Sequence, residues 1–137
     1  MTKFCFCISA FNEASSIKEC ILSAIEASRD FDARVLVLNN GSTDRTAEKV
    51  HSLQGDIDFD FVNFEENVTL QEARNFLLKN CNSSYAIFSD ADGTVSKNYL
   101  DVLNREINGA FSIYSGPVKE NRNEENYFYT WFEVNLC

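Results

Sequence analysis

Apolar residues occur along the chain in two alternating arrangements. Continuous runs such as 4–8 and 85–88 are typical of strands buried on both faces of a sheet, whereas Ile17, Ile21 and Ala24 recur at helical spacing. The runs predict strands at 3–9, 34–38, 57–64, 85–89 and 110–114. Helices are predicted between these strands, with starts near Ser16, Thr43, Thr69 and Ser96.

The alternation of strands and helices defines the expected fold class. Short connections and apolar strands predict an α/β fold, with a mostly parallel sheet and helices on both of its faces. Ligands bind such sheets beyond the carboxyl ends of the strands. Three polar loops follow strands there, and we expect them to converge: 11–13, 39–44 and 89–93.

Local signals refine the helix boundaries. Ser16-x-x-Glu19 and Thr69-x-x-Glu72 are capping-box patterns, in which a side-chain oxygen and a carboxylate satisfy the first free N–H groups of a helix. Residues 39–42 read as a turn, and the helix that follows is expected to span 43–53.

Asp90 and Asp92 directly follow the run at 85–88 and are the most informative pair of residues. Like charges this close repel, so a cation or ligand donor between them favours their ionised forms. Carboxylate oxygens suit Mg²⁺ or Mn²⁺, and these ions usually bridge to substrate phosphates. Gly93 would let a ligand approach closely. The same residues also suit a solvated turn, so both interpretations stay open.

The other strand-end loops also carry groups that suit a nucleotide. The amide of Asn40 can accept the N3–H of uracil or thymine, Phe11 can stack on a base, and Glu13 can accept ribose hydroxyls. Arg74, on the helix before the fourth strand, is a candidate partner for a diphosphate. Taken singly, the same residues also suit purely structural roles. Asn40 suits a turn, Phe11 and Glu13 suit a loop and helix start, and Arg74 suits an exposed helical face.

The charge of the chain limits the kinds of molecule that it is expected to bind. The net charge of −9 argues against nucleic acid as a partner, and an anionic ligand would need a cation at its binding site.

The sequence also bears on the protein's location in the cell. No apolar run is long enough to span a membrane, and the first residues lack a signal-peptide pattern. The odd number of cysteines, five, favours buried reduced thiols, and a single histidine gives little support for a zinc site. We expect a cytoplasmic protein, with the inner face of a membrane as the alternative location.

Four segments, in this order and spacing, resemble the family 2 glycosyltransferases, the large inverting family with the GT-A fold. They are Ile-Ser-Ala-Phe-Asn-Glu at 8–13, Asn-Asn-Gly-Ser-Thr-Asp at 39–44, Ala-Arg-Asn at 73–75 and Ser-Asp-Ala-Asp-Gly at 89–93. The resemblance covers residues 3–105. It implies a Rossmann-like nucleotide-binding half in residues 1–116. Residues 117–137, which are polar and then aromatic, would begin an acceptor-binding part.

The resemblance also implies ligands and roles. The donor would be a nucleotide-diphosphate sugar, with UDP or dTDP favoured, and the acceptor a saccharide, a lipid-linked molecule or a protein. Asp92 and Asp90 would hold Mn²⁺ or Mg²⁺. The implied nucleotide-binding residues are Ala10, Phe11, Asn12, Glu13, Asn40, Ser42, Arg74, Asp90 and Ala91.

Two departures from the family pattern set limits on this interpretation. Asn39 and Asn40 stand where the family has aspartates, and family members are usually much longer, with the general base in their later part. No base is identifiable here; the late acids are Glu120, Glu124, Glu125 and Glu133. We therefore expect a truncated enzyme. The alternatives are a non-catalytic sugar-nucleotide-binding or partner-binding module and a nucleotidyltransferase, although the latter usually has a glycine-rich, basic loop after its first strand.

Overall fold

The computed structural model describes residues 1–107. Strands and helices alternate there in the order β1 (Thr2–Ala10), α1 (Ile17–Ser28), β2 (Ala33–Asn40), α2 (Thr46–His51), β3 (Asp60–Phe64), α3 (Leu70–Asn80), β4 (Ser83–Asp90) and α4 (Tyr99–Glu106). The predicted strand at 110–114 and the predicted boundary after residue 116 lie outside the described residues. None of the helices within 1–107 combines the length and the apolar character that crossing a membrane requires.

The four strands form one parallel sheet in the order β3-β2-β1-β4. The register aligns Ala10 with Asn39 on one side of β1 and Ser9 with Asp90 on the other. The carboxyl ends of β1, β2 and β4 therefore meet at one edge. The chain moves from β1 outward to β2 and β3, and then returns to place β4 on the opposite side of β1. This reversal makes the gap between β1 and β4 the expected ligand crevice.

Both faces of the sheet are covered by helices, as the sequence predicted. On one face, Cys5 and Cys7 of β1 pack with Ala73 and Leu77 of α3. Phe4, Phe6 and Ile8 alternate with these cysteines and lie fully buried on the opposite face, which α1 covers with Ile17, Ile21 and Ala24. Cys5, Cys7, Cys20 and Cys81 are buried free thiols, as expected. The predicted α/β fold class is confirmed.

The helix starts differ from the sequence predictions in three places. One is α4, which begins at Tyr99 rather than near Ser96, because the Ser96 hydroxyl donates to Asn98 Oδ1 instead of capping the helix. Thr69 and Glu72 form the predicted capping box. Ser16 does not cap α1, because its hydroxyl turns back and donates to the Glu13 carboxylate at 3.0 Å. The helix α2 begins at Thr46 rather than Thr43. Its N-cap residue is Arg45, and the carboxylate of Asp44, just before it, accepts the Thr46 N–H at 2.9 Å.

The strand boundaries differ as well. β2 continues through Asn40, so Asn39 and Asn40 end a strand instead of forming a turn. β3 begins at Asp60 rather than Ile57, because the N–H groups of Asp56 and Ile57 bond to the carbonyl of Leu53 in a turn after α2.

Candidate functional site

A cleft of about 430 Å³ opens at the carboxyl edge of the sheet, beside the junction of β1 and β4. Six of the residues predicted for nucleotide or metal binding line it together: Phe11, Glu13, Asn40, Asp90, Ala91 and Asp92. The remaining lining residues are Ser9, Asn67, Val68, Thr69 and Leu70. A groove of about 780 Å³ along α1 shares no residue with this cleft.

Asp90 and Asp92 flank a tight turn at the end of β4. The Gly93 N–H donates to the Asp90 carbonyl at 3.2 Å, and Ala91 between the two acids is buried. Both carboxylates are thereby exposed on the cleft. No cluster of three metal-ligating side chains occurs within residues 1–107. A pair of hard oxygen donors fits a Mg²⁺ or Mn²⁺ ion that takes its other ligands from phosphates and water.

Arg74 lies beside this pair on α3. Its Nη2 is 3.6 Å from Oδ1 of Asp90, and its guanidinium lies 6.0 Å from the ring centroid of Phe88. Both partners of the ion pair are substantially exposed, so the pair contributes at most about 1 kcal/mol to stability. Arg74 does not line the cleft itself, but it places a positive charge at the rim, next to a candidate metal ligand.

Asn12 and Ser42 join the first two loops to each other. The Asn12 side chain accepts N–H groups from Thr43 and Asp44 at 2.8 and 3.3 Å, while its own N–H donates to Ser42 Oγ at 2.9 Å. Asn12 has a φ of +57°, which asparagine tolerates. Neither residue lines the cleft, nor does Ala10, which is fully buried at the end of β1. A direct nucleotide contact for these three residues stays a prediction.

Glu13 is held in place at the mouth of the cleft. Its N–H donates to Thr46 Oγ1 at 2.9 Å, and its carboxylate accepts the Ser16 hydroxyl. The neighbouring Asp44 also ties α2 to this loop. Hydrogen bonds from the Thr46 hydroxyl and from the N–H groups of Thr46 and Ala14 lower the pKa of Asp44 below its usual range.

Asn40 is buried, and its amide is oriented by the backbone of Val68. Nδ2 donates to the Val68 carbonyl at 2.9 Å, and Oδ1 accepts the Val68 N–H at 3.0 Å. Asn67 adds a third contact by donating from Nδ2 to the Asn40 carbonyl at 2.9 Å. Rotating the amide by 180° would set donor against donor and acceptor against acceptor, so its orientation is fixed.

The segment Asn67–Leu70 is the part of the cleft wall that sequence reasoning missed. Sequence patterns mark it only as a helix start, because Thr69 and Glu72 form a capping pattern. Its position in the chain could have identified it. The segment follows β3, and β3 pairs in parallel with β2, so the carboxyl ends of both strands lie at the same edge of the sheet.

Exchanging Asn40 for aspartate tests the structural role of the amide. In Asn40→Asp a carboxylate oxygen would face the Val68 carbonyl, and we expect the free energy of unfolding at neutral pH to fall by about 1–3 kcal/mol. The contact raises the pKa of the introduced carboxyl, since the protonated form can donate to Val68. The loss is therefore small below about pH 4 and grows as the pH rises. Chemical denaturation across pH measures it.

Asn63→Asp is the matched control. Asn63 Oδ1 accepts a hydrogen bond from Asn39 Nδ2 at 2.7 Å, and a carboxylate oxygen at the same position can accept that hydrogen bond as well. Identical stabilities at neutral pH for Asn40→Asp and the unaltered chain would contradict the assigned role of the amide.

The sequence matches a known protein family. Residues 5–134 match the family described as glycosyl transferase family 2. The chain therefore belongs to the family 2 glycosyltransferases, which confirms the resemblance seen in the sequence.

Two curated relatives show how much of a longer protein the match covers. Poly-β-1,6-N-acetyl-D-glucosamine synthase of Staphylococcus aureus (strain COL) is 30% identical over 93 residues, which are 68% of this chain and 22% of the relative. An uncharacterized glycosyltransferase of Bacillus subtilis (strain 168), YfnE, is 28% identical over 119 residues, which are 87% of this chain and 27% of the relative. The chain thus spans about a quarter of the length of these relatives.

The solved structures of S. aureus TarS share the fold. TarS 1–349 in complex with UDP superimposes with a TM-score of 0.66 at 23% identity, covering 82% of this chain and 38% of TarS 1–349. The complex with UDP-GlcNAc gives the same TM-score at 20% identity, covering 82% and 37%.

Proposed function

We propose that the cleft binds a nucleotide-diphosphate sugar, with UDP or dTDP as the favoured nucleotide, together with Mn²⁺ or Mg²⁺. The observation that carries the proposal is the meeting of Asp90 and Asp92 with Phe11 and Glu13 in one cleft at the switch point of the sheet. The occurrence of UDP and UDP-GlcNAc complexes among proteins of the same fold supports it.

Each cleft residue then has a role that suits its chemistry. Phe11, which is 46% exposed, offers a ring on which the base can stack, and Glu13 accepts ribose hydroxyls. Asp92 and Asp90 hold the divalent ion, which neutralises charge on the leaving diphosphate when bound. Arg74 at the rim can turn from Asp90 to a phosphate oxygen, since its present ion pair is weak.

The reaction we propose is an inverting glycosyl transfer. An acceptor hydroxyl attacks the anomeric carbon from the face opposite the nucleotide and forms the new C–O bond. The bond to the diphosphate breaks, and the nucleoside diphosphate leaves with the electron pair. A carboxylate base takes the hydroxyl proton. No residue of this sequence is identifiable as that base; the late acids Glu120, Glu124, Glu125 and Glu133 lie outside the described residues.

For the acceptor and for the location in the cell, the proposal names classes. A saccharide acceptor, and with it a role in polysaccharide biosynthesis, is favoured because one relative is a poly-β-1,6-N-acetyl-D-glucosamine synthase. A lipid-linked molecule or a protein remains compatible with the same donor site. A cytoplasmic location, or the inner face of a membrane, stays part of the proposal.

Titration calorimetry with UDP, dTDP, GDP and ADP tests donor binding. We expect UDP or dTDP to bind best with Mn²⁺, and at least about 100-fold more weakly in EDTA, because the bound cation contributes several kcal/mol at the diphosphate. Equal affinity for UDP with Mn²⁺ and in EDTA would show that no metal ion takes part in binding.

Turnover of UDP-sugars then separates the candidate functions. Transfer or slow hydrolysis indicates a glycosyltransferase, whereas binding without turnover indicates a non-catalytic module. A nucleotidyltransferase is disfavoured, because the loop after β1 contains no glycine and points the acidic Glu13 into the cleft.

A further inference from the structure

The segment that carries Asp92 is attached to α1 at both of its ends. The thiol of Cys20 donates to the Asp90 carbonyl at 3.5 Å, and Ser23 Oγ accepts the Val95 N–H at 2.9 Å. Cys20 and Ser23 are three residues apart on α1 and so project from the same side of the helix. Nothing in the sequence motifs points to these contacts.

The attachment at Asp90 uses two donors. Cys20 is fully buried on α1, and its thiol is the first of these donors. The Gly93 N–H donates to the same carbonyl at 3.2 Å. The Asp90 backbone is therefore held from α1 and from within its own turn.

The attachment at Val95 depends on one hydroxyl. Ser23 Oγ donates its proton to the Cys20 carbonyl at 2.8 Å, which leaves its lone pairs to accept from Val95. One turn further along α1, Glu26 pairs with Lys97 at 3.2 Å. The Lys97 side chain is exposed, so this ion pair contributes little. Ser23 thus accepts the backbone hydrogen bond that joins the far end of the segment to α1.

We propose that Ser23 is a positioning residue for the cation-binding aspartates: by holding Val95, it fixes the segment Asp90–Val95 so that Asp92 faces the cleft before a ligand arrives. The inference rests on the proposed function, since it concerns the same cleft. Groups that are already ordered lose less entropy on binding, and residues that orient metal ligands typically change metal affinity about 10- to 100-fold when removed.

The test compares Ser23→Ala with two other variants. Ser23→Thr keeps the hydroxyl and is the rescue. Ser28→Ala is the matched control, because Ser28 lies on the same helix and its hydroxyl donates to the Ala24 carbonyl at 2.7 Å, away from the segment. Amide hydrogen exchange of Val95 is measured without ligand, and UDP affinity is measured with Mn²⁺ and in EDTA.

We expect Ser23→Ala to speed exchange at Val95 and to weaken Mn²⁺-dependent UDP binding about tenfold, with the affinity in EDTA unchanged. Ser23→Thr should restore both properties, and Ser28→Ala should change neither. Unchanged exchange at Val95, or an equal loss of affinity with and without Mn²⁺, would overturn the positioning role. Absence of UDP binding by the unaltered chain, with exchange at Val95 still dependent on Ser23, would instead refute the proposed function and limit Ser23 to a structural role.

Discussion

Asp92→Asn is expected to weaken Mn²⁺-dependent binding of UDP by about 100-fold or more. The amide has the shape of the carboxylate but lacks the charge that holds the cation at the diphosphate, and that interaction is worth several kcal/mol. Because Asp92 is exposed and lies close to the like charge of Asp90, the fold should keep its stability without ligand to within about 0.5 kcal/mol. Calorimetry with Mn²⁺ and in EDTA, together with thermal denaturation, measures both effects.

Asp30→Asn provides the control for the change in net charge. Asp30 is exposed between α1 and β2, at the amino edge of the sheet and therefore opposite the cleft. We expect its UDP affinity to equal that of the unaltered chain. A large drop in the melting temperature of ligand-free Asp92→Asn would show that Asp92 has a structural role, and equal loss in both variants would show that net charge alone governs binding.

Gly41→Ala is expected to cause the largest loss of stability. Gly41 has a φ of +66°, a conformation that costs an L-residue about 1–2 kcal/mol. A Cβ at this position would also collide with backbone atoms of Glu66 and Asn67, which cannot move aside as a flexible side chain would. Such overpacking typically costs about 1–3 kcal/mol more, so we expect a total of about 2–5 kcal/mol by chemical denaturation.

The Gly41→Ala substitution should also disturb the cleft, because Asn67 and the adjacent Val68 form part of the cleft wall and bond to Asn40.

Gly55→Ala is the matched control. A Cβ added at Gly55 would meet no other atom within 4 Å, and this variant should stay within about 0.5 kcal/mol of the unaltered chain. A Gly41→Ala chain as stable as Gly55→Ala would contradict the described packing of β2 against the segment before α3.

The sheet and the position of the cleft were predictable because they depend on patterns that the sequence carries locally. The apolar runs of β1, β2 and β4 are long enough to identify strands, and parallel pairing then brings their carboxyl ends to one edge. The convergence of Phe11, Asn40 and Asp90 followed from this topology.

The missed features depend on contacts between distant segments. The loop of Asn12 is fixed by N–H groups about thirty residues later, at Thr43 and Asp44. The Asn40 amide is fixed by Val68, and no periodicity or capping rule signals that pairing. Ser16 matched a capping pattern locally, yet its hydroxyl bonds to Glu13 instead, a choice that a sequence pattern cannot decide.

The most direct test of the central claim is the location of paramagnetic broadening in NMR spectra of the ¹⁵N-labelled chain with UDP and Mn²⁺. We expect the amide signals of residues 11–13, 40–42 and 90–93 to broaden most. Signals at the amino edge, such as Lys3 and Ala33, should remain sharp, since β1 separates the two edges by about 26 Å. The broadening should disappear in Asp92→Asn. Broadening centred on the amino edge, or the same pattern in Asp92→Asn, would contradict a metal–nucleotide site at the carboxyl ends of the strands.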